Sequence, residues 1–213
     1  NFTDRCTVPA SRGDQRMMDT HNHIAVFWDN KMMFHRLVED ACGYCEAVTP
    51  LMLAAPFYKG RYTGIIIPTG FGNLQYSKLL PALRAVSGRI EDYLENGGKL
   101  LVYGAADPAN TGNPYNWLPV DVEYHFEFAE HKLEIDASSP WKSLFDGYDT
   151  EKFAADGWFV KYPGKPVAVA ENRFPVLVEC PVGEGTLLLA SAHEYPSDAF
   201  LKQFGAAATE IQF

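Results

Sequence analysis

Apolar residues recur along this chain with three spacings. Short, mostly apolar runs at His23–Trp28, Tyr62–Ile67, Lys99–Gly104 and Thr186–Ser191 have strand length and few polar positions. Strands buried on both faces of a parallel sheet read this way. Between the first two runs, Phe34, Leu37, Val38, Ala41, Cys42 and Cys45 fall at offsets 0, 3, 4, 7, 8 and 11, an amphipathic helix stripe. A short strand is predicted at Glu46–Pro50. One helix is predicted from Ser77 to Glu95, with Leu79, Leu83, Val86, Ile90, Tyr93 and Leu94 inward and Asn96-Gly97-Gly98 ending it. The order strand, helix, strand, strand, helix, strand predicts a parallel sheet with helices on both faces.

The second half is patterned differently. From Val120 to Phe128 the residues alternate, with Val122, Tyr124, Phe126 and Phe128 set against Glu123, His125 and Glu127. That period belongs to a half-exposed strand. Further short strands are expected at Leu133–Ile135, Trp158–Lys161, Pro166–Glu171 and Val176–Cys180, with hairpin turns at 171–174 and 182–185. Ser197 can cap a last helix from Asp198 to about Phe204. The expectation is an α/β core with an antiparallel β insertion over about 110–180. It divides the chain into an arm at 1–22 and one domain at 23–213. The aromatic strand, with Trp117, Trp141 and Trp158, is read first as the core of the insertion. Its other reading is an interaction surface, a homo-oligomer contact included.

Composition narrows the classes. With 213 residues and 47% hydrophobic content, the chain has ample surface to bury, so it is not disordered. It carries 18 basic and 27 acidic residues, a net charge of -9, which argues against nucleic acid as a partner. No run reaches the ~18 apolar residues of a membrane helix, and no secretory signal is present. A cytoplasmic protein without a membrane partner is expected. The chain opens on Asn1 rather than Met, so upstream residues are expected to be missing. Asn1-Phe2-Thr3 and Arg12-Gly13-Asp14 match glycosylation and adhesion tripeptides that recur by chance.

Four cysteines are too few for a disulfide scaffold. Cys42-Gly43-Tyr44-Cys45 has redox spacing, but it ends a helix, where the dipole disfavours a thiolate. Both cysteines also lie on the apolar stripe, so packing is the first reading. A metal site drawn from Cys6, His21, His23, Cys42 and Cys45 lacks the second short-spaced pair that zinc sites use. No metal or cofactor is expected.

Three segments, in order, resemble class I glutamine amidotransferase-like domains. "YTGIIIPTGFGN" at 62–73 is similar to the family's D-x-I-I-L-P-G-G-F segment, which implies that the backbone amide of Gly70 helps form an oxyanion hole. "NGGKLLVYGAADP" at 96–108 resembles GGKLLGICNG, the strand and nucleophile elbow. "GEGTLLLASAHEYP" at 183–196 resembles the closing G-x-G-x-x-L-x-S-x-H-P-E, which delivers the catalytic His and acid. Trehalose-utilisation-type relatives are similar too. The resemblance implies a flavodoxin-like three-layer sandwich with a mostly parallel central sheet. One departure is decisive for chemistry. The nucleophilic Cys position falls on Ala106, and no Cys or Ser stands at 105–107. The acid expected two residues after the His falls on Tyr195, with Glu194 next door.

Ligands of open α/β sheets bind outside the carboxyl ends of the strands. Those ends here offer Asp29 and Asn30, then Gly70, Phe71 and Asn73, then Gly104, Ala106 and Asp107, then His193 and Glu194. The first expectation is a non-catalytic domain that binds a small molecule there, or an oligomeric or regulatory subunit. The second is a hydrolase using His193 as base with Asp107 or Glu194 assisting. A cysteine metal or redox protein is the third.

Overall fold

The computed structural model describes residues 20–106 and 112–213. The first half contains β1 (His21–Asn22), β2 (Ile24–Phe27), α1 (Met33–Cys42), β3 (Glu46–Val48), α2 (Pro50–Ala54), β4 (Arg61–Tyr62), β5 (Gly64–Ile67), α3 (Leu79–Ala85), α4 (Ser87–Glu95) and β6 (Lys99–Tyr103). The second half contains β7 (Glu123–His131), β8 (Leu133–Ile135), a 3-10 helix (Pro140–Phe145), β9 (Phe153–Lys161), β10 (Lys165–Ala170) and β11 (Phe174–Val182). It closes with β12 (Gly185–Ala190), α5 (Asp198–Gly205), β13 (Ala206–Ala207) and β14 (Ile211–Gln212).

Eight strands form one sheet in the order β3-β2-β5-β6-β12-β11-β10-β8. The first five are mutually parallel and the last three run antiparallel to their neighbours. Numbered along the chain, the parallel strands lie 2-1-3-4-5, an order compatible with a flavodoxin-like fold. Alternate residues of each strand face opposite sides. Ile24, Val26, Ile66 and Leu101 pack on Phe34 and Val38 of α1 and on Phe200 and Phe204 of α5. Ala25, Phe27, Ile65 and Leu100 pack on Leu79 and Leu83 of α3 and on Ile90 and Tyr93 of α4. Burial on both faces is why these strands carry continuous apolar runs.

Several expectations change in detail. The helix predicted over 77–95 starts at Leu79 and breaks at Val86, whose ψ of 18° leaves the helical range. A β-branched residue followed by Ser87-Gly88 is a poor place to continue a helix. Residues 21–22, assigned to the arm by sequence, pair antiparallel with Ala206–Ala207. Both tripeptide matches and Cys6 lie outside the described residues. Among the described residues β7 pairs only with β9, and the register shifts between Phe126 and Ala129. Tyr124 packs on the core there, but Phe126 and Phe128 stay 41% and 57% exposed, so the aromatic strand is not wholly core.

Candidate functional site

The site begins where β12 leaves the sheet. Residues 191–193 run antiparallel to β9: Asp156 N–H donates to Ser191 O at 3.0 Å and His193 N–H donates to Ala154 O at 3.0 Å. This pairing sets Asp156 Oδ1 2.8 Å from His193 Nδ1. Asp156 is buried while the His193 side chain is 57% exposed. The Thr69 hydroxyl, at the end of β5, reaches Asp156 Oδ2 at 3.3 Å and Gly104 O at 3.2 Å. A carboxylate on Nδ1 selects the tautomer with its proton there and leaves Nε2 as the basic nitrogen. The Phe128 ring meets the imidazole at 5.0 Å, close to perpendicular.

The end of β6 is held by a buried phenol. Ala105 N–H donates to Tyr115 Oη at 3.0 Å, and that hydroxyl donates to Tyr103 O at 3.2 Å. Burial raises the Tyr115 phenol well above its usual range, so it stays a neutral donor. Ala106 follows with φ of 52°, a left-handed conformation that a residue with a Cβ adopts only under strain. A sharp turn at this point is what a nucleophile elbow requires. Ala106 is the last described residue of this segment, and its methyl side chain offers no nucleophile.

The other sequence-derived residues divide. Gly70 N–H donates to Gly104 O at 2.9 Å, and Gly72 N–H donates to Ala105 O at 2.9 Å. Each amide has one proton, so the Gly70 amide is engaged by the neighbouring strand end and is not directed at an oxyanion. Asp29 accepts from the Ser77 hydroxyl at 2.5 Å and from Lys78 N–H at 2.9 Å, so it works as a cap ahead of α3. Asn73 Oδ1 closes a turn by accepting from Gln75 N–H at 3.0 Å. Phe71 is fully buried against Tyr115 and Trp117. Asn30 is exposed at the strand end. Asp107 lies outside the described residues. Glu194 is exposed, and its backbone carbonyl accepts from the Tyr148 hydroxyl at 2.9 Å. Successive residues of an extended segment point to opposite sides, so the partner of His193 comes from across the strand pair. Asp156 is the residue that sequence reasoning missed. Its one signal is a lone acid between Ala155 and Gly157 in a strand whose flanking positions are apolar.

A hollow of about 310 Å³ opens beside this pair at the carboxyl ends of the strands. Met32, Phe34, Pro68 and Tyr195 form apolar walls, with Thr69 and His193 on one side. Two larger cavities, about 370 and 470 Å³, lie around Arg89 and Phe213 and around Lys59 and Arg61. We assign the site to the smaller one, because it sits at the carboxyl ends of the parallel strands and contains His193.

No family model matches the chain, and no curated protein matches it in sequence. Solved structures do. A GMP synthase component from Thermoplasma acidophilum superposes with a TM-score of 0.53 at 15% identity, over 87% of this chain and 93% of that one. A β-galactosidase from Rahnella sp. R3 superposes with a TM-score of 0.51 at 11% identity, over 85% of this chain but 30% of its own. What they share with this chain is the fold. The first is consistent with a glutamine amidotransferase-like fold, and the second shows a comparable unit inside a much longer enzyme.

The metal and redox readings find no support in the described residues. No group of three or more His, Cys, Asp and Glu side chains there is placed to hold a metal. His23 is taken up differently, with Nε2 2.7 Å from Glu46 and Nδ1 3.2 Å from Glu210. Cys42, Cys45 and Cys180 are free thiols. Burial raises all three, and it pushes Cys45 and Cys180 up to about 12. They are expected to resist iodoacetamide at pH 8 in the folded protein and to react fully in guanidinium, read site by site by mass spectrometry. The same burial sets a pH dependence. Above the ordinary thiol value of 9.0 the unfolded chain loses protons that Cys45 and Cys180 keep until about 12. Folding stability therefore falls as pH rises through that window, by up to one proton per thiol. Urea melts at pH 8 and pH 11 check this. A Cys45→Ala, Cys180→Ala double variant should lose less stability across the same interval.

Proposed function

We propose that residues 23–213 are a glutamine amidotransferase-like domain that holds a small molecule at the carboxyl ends of its parallel strands and performs no thioester chemistry. The observation that carries this reading is Ala106: it follows the end of β6 with a left-handed φ of 52°, and its side chain cannot attack a carbonyl. The engaged amide of Gly70 points the same way. In this reading the antiparallel stretch over about 110–180 is an insertion in a flavodoxin-like three-layer sandwich, and its role is to bring Asp156 to His193. The chain then serves as a cytoplasmic binding or regulatory subunit. Its free thiols fit a reducing compartment.

A second reading is favoured by one distance, the 2.8 Å between His193 Nδ1 and Asp156 Oδ1. An oriented imidazole can take a proton from water and direct it at a bound acyl group. Here Asp156 does for His193 what sequence alone gives to Asp107 or Glu194.

Ammonia release from L-glutamine tests the first reading against an active glutaminase. The expected result is no release above the buffer blank. Release that disappears in His193→Ala would overturn it. Binding is tested by the ¹⁵N resonances of the His193 ring during titration with a panel of small neutral, anionic and cationic organic molecules. Saturable shifts are expected, and their absence across the whole panel would overturn a ligand site.

A further inference from the structure

The two larger cavities adjoin and share a wall. Lys59 and Gln212 line both, with Arg89 and Phe213 in the first and Glu46 and Arg61 in the second. They lie at the end of the sheet away from His193. Glu46 opens β3, and Arg61–Tyr62 lead into β5, so these are the amino ends of parallel strands. Neither reading above uses them.

What faces these cavities follows from a short β ribbon. β4 and β14 pair with Tyr62 opposite Ile211 and Arg61 opposite Gln212. The ladder continues one step, since Gly60 and Phe213 exchange both backbone hydrogen bonds, at 3.1 and 2.8 Å. Successive residues of such a segment face opposite ways. Tyr58 and Tyr62 meet through their hydroxyls, and Tyr62 is fully buried, so positions 58, 60 and 62 turn inward. Lys59 and Arg61 therefore turn outward, beside Gln212 on the facing strand. Arg89 enters from α4 and is fixed at two points. Its Nη2 donates to Tyr58 O at 2.6 Å, and its guanidinium lies 4.6 Å from the centre of the Phe213 ring. A guanidinium carries five N–H donors, so this bond leaves donors to spare.

Three cations thus line adjoining cavities of a chain whose net charge is -9. Like charges held close repel one another, and a bound anion relieves that repulsion. Two carboxylates share the lining. Glu46 is engaged by His23 Nε2 at 2.7 Å, and Asp92 belongs to the first cavity alone. Three cations against two carboxylates leave the lining positive. The donors come from separate residues, so one oxygen cannot meet them all. A phosphoryl group offers three acceptor oxygens, which suits such a set better than a carboxylate does.

We infer that these adjoining cavities bind a small phosphate monoester, its phosphoryl oxygens accepting from Lys59 and Arg61, with Gln212 and Arg89 as further donors. The site lies apart from the His193 hollow and stands whether or not that hollow takes a ligand.

Titrations of the full chain test it, followed at the backbone amides of Gly60, Arg61 and Gln212. Inorganic phosphate and glycerol phosphate are expected to shift them saturably, with half-saturation on the order of 1 mM or lower, the affinity of a few charge-assisted contacts. Chloride at matched ionic strength should not. The double variant Lys59→Gln, Arg61→Gln should weaken glycerol phosphate at least about tenfold, and Arg89→Gln about threefold or more, the scale of hydrogen bonds to charged groups discounted for exposure. Lys59 and Arg61 are exposed, so the double variant should melt as wild type does, which separates lost binding from lost folding. Lys132→Gln, at an exposed lysine between β7 and β8, should bind as wild type does. Vesicles of phosphatidic acid in phosphatidylcholine distinguish a soluble ester from a lipid headgroup, and no co-sedimentation is expected. Four results overturn the inference: no saturable shift with either phosphate, an equal response to chloride, unchanged affinity in the folded double variant, or binding confined to the vesicles.

Discussion

Gly157→Ala is expected to lose about 3 kcal/mol of folding stability or more, a loss at the upper end for a single methyl group. Gly157 sits in β9 opposite Phe126. A Cβ built there would lie 1.9 Å from the His125 carbonyl oxygen and 2.9 Å from the Tyr124 hydroxyl. The first contact is with backbone, which cannot rotate away, so β7 itself would have to move. The Gly157 carbonyl also accepts from the Ser191 hydroxyl at 2.7 Å, beside the pairing that seats Asp156 against His193. The substitution should therefore disturb the site as well as the sheet. Gly88→Ala is the contrasting control. It lies in α4 with nothing within 4 Å of its added Cβ, and it should gain roughly 0.5–1 kcal/mol from helix propensity. Urea melts of both variants check the pair. A Gly157→Ala protein as stable as wild type would show that β7 and β9 do not approach this closely.

Asp156→Ala carries the second large effect, and it is functional. Wild-type His193 should show a single tautomer, with its proton on Nδ1, in ¹⁵N spectra of the ring. Without the carboxylate, the ring is expected to sample both tautomers and more than one orientation. Stability should fall by about 1–3 kcal/mol, the range for hydrogen bonds to a charged group. Thr69 keeps Gly104 O as a partner at 3.2 Å, which limits the loss. If the water-activating reading holds, ester hydrolysis by the protein should drop about 10²–10⁴-fold in this variant, the share assigned to an oriented base. Glu194→Gln, at an exposed residue whose described contact is made by its backbone, should leave both readouts where they were. An unchanged His193 ring in Asp156→Ala, or a changed one in Glu194→Gln, would contradict the pairing.

The fold was largely legible, for reasons that are local. A strand buried on both faces must be apolar throughout, so β2, β5, β6 and β12 stand out in the sequence as continuous runs. A helix covering a sheet must be apolar at every third or fourth position, so α1 is written in Phe34, Val38 and Ala41. That Ala106 follows the end of β6 was legible too, because a strand-end position can be counted. The break at Val86 was not, since the apolar stripe runs through it unchanged. Nor was the exposure of Phe126 and Phe128, because alternation gives the faces of a strand and not what covers them.

The site lay mostly beyond sequence. His193 and Asp156 are 37 positions apart and meet because 191–193 crosses onto β9. No local pattern encodes which antiparallel register two distant segments will adopt. That the Tyr103 hydroxyl has no partner among the described residues is likewise a fact about its neighbours. The sequence by itself determined the layering, since burial and backbone period act residue by residue. Tertiary structure alone decided which acid meets the histidine and which amides are already engaged, since each depends on groups from separate segments meeting within about 3 Å, hydrogen-bond reach.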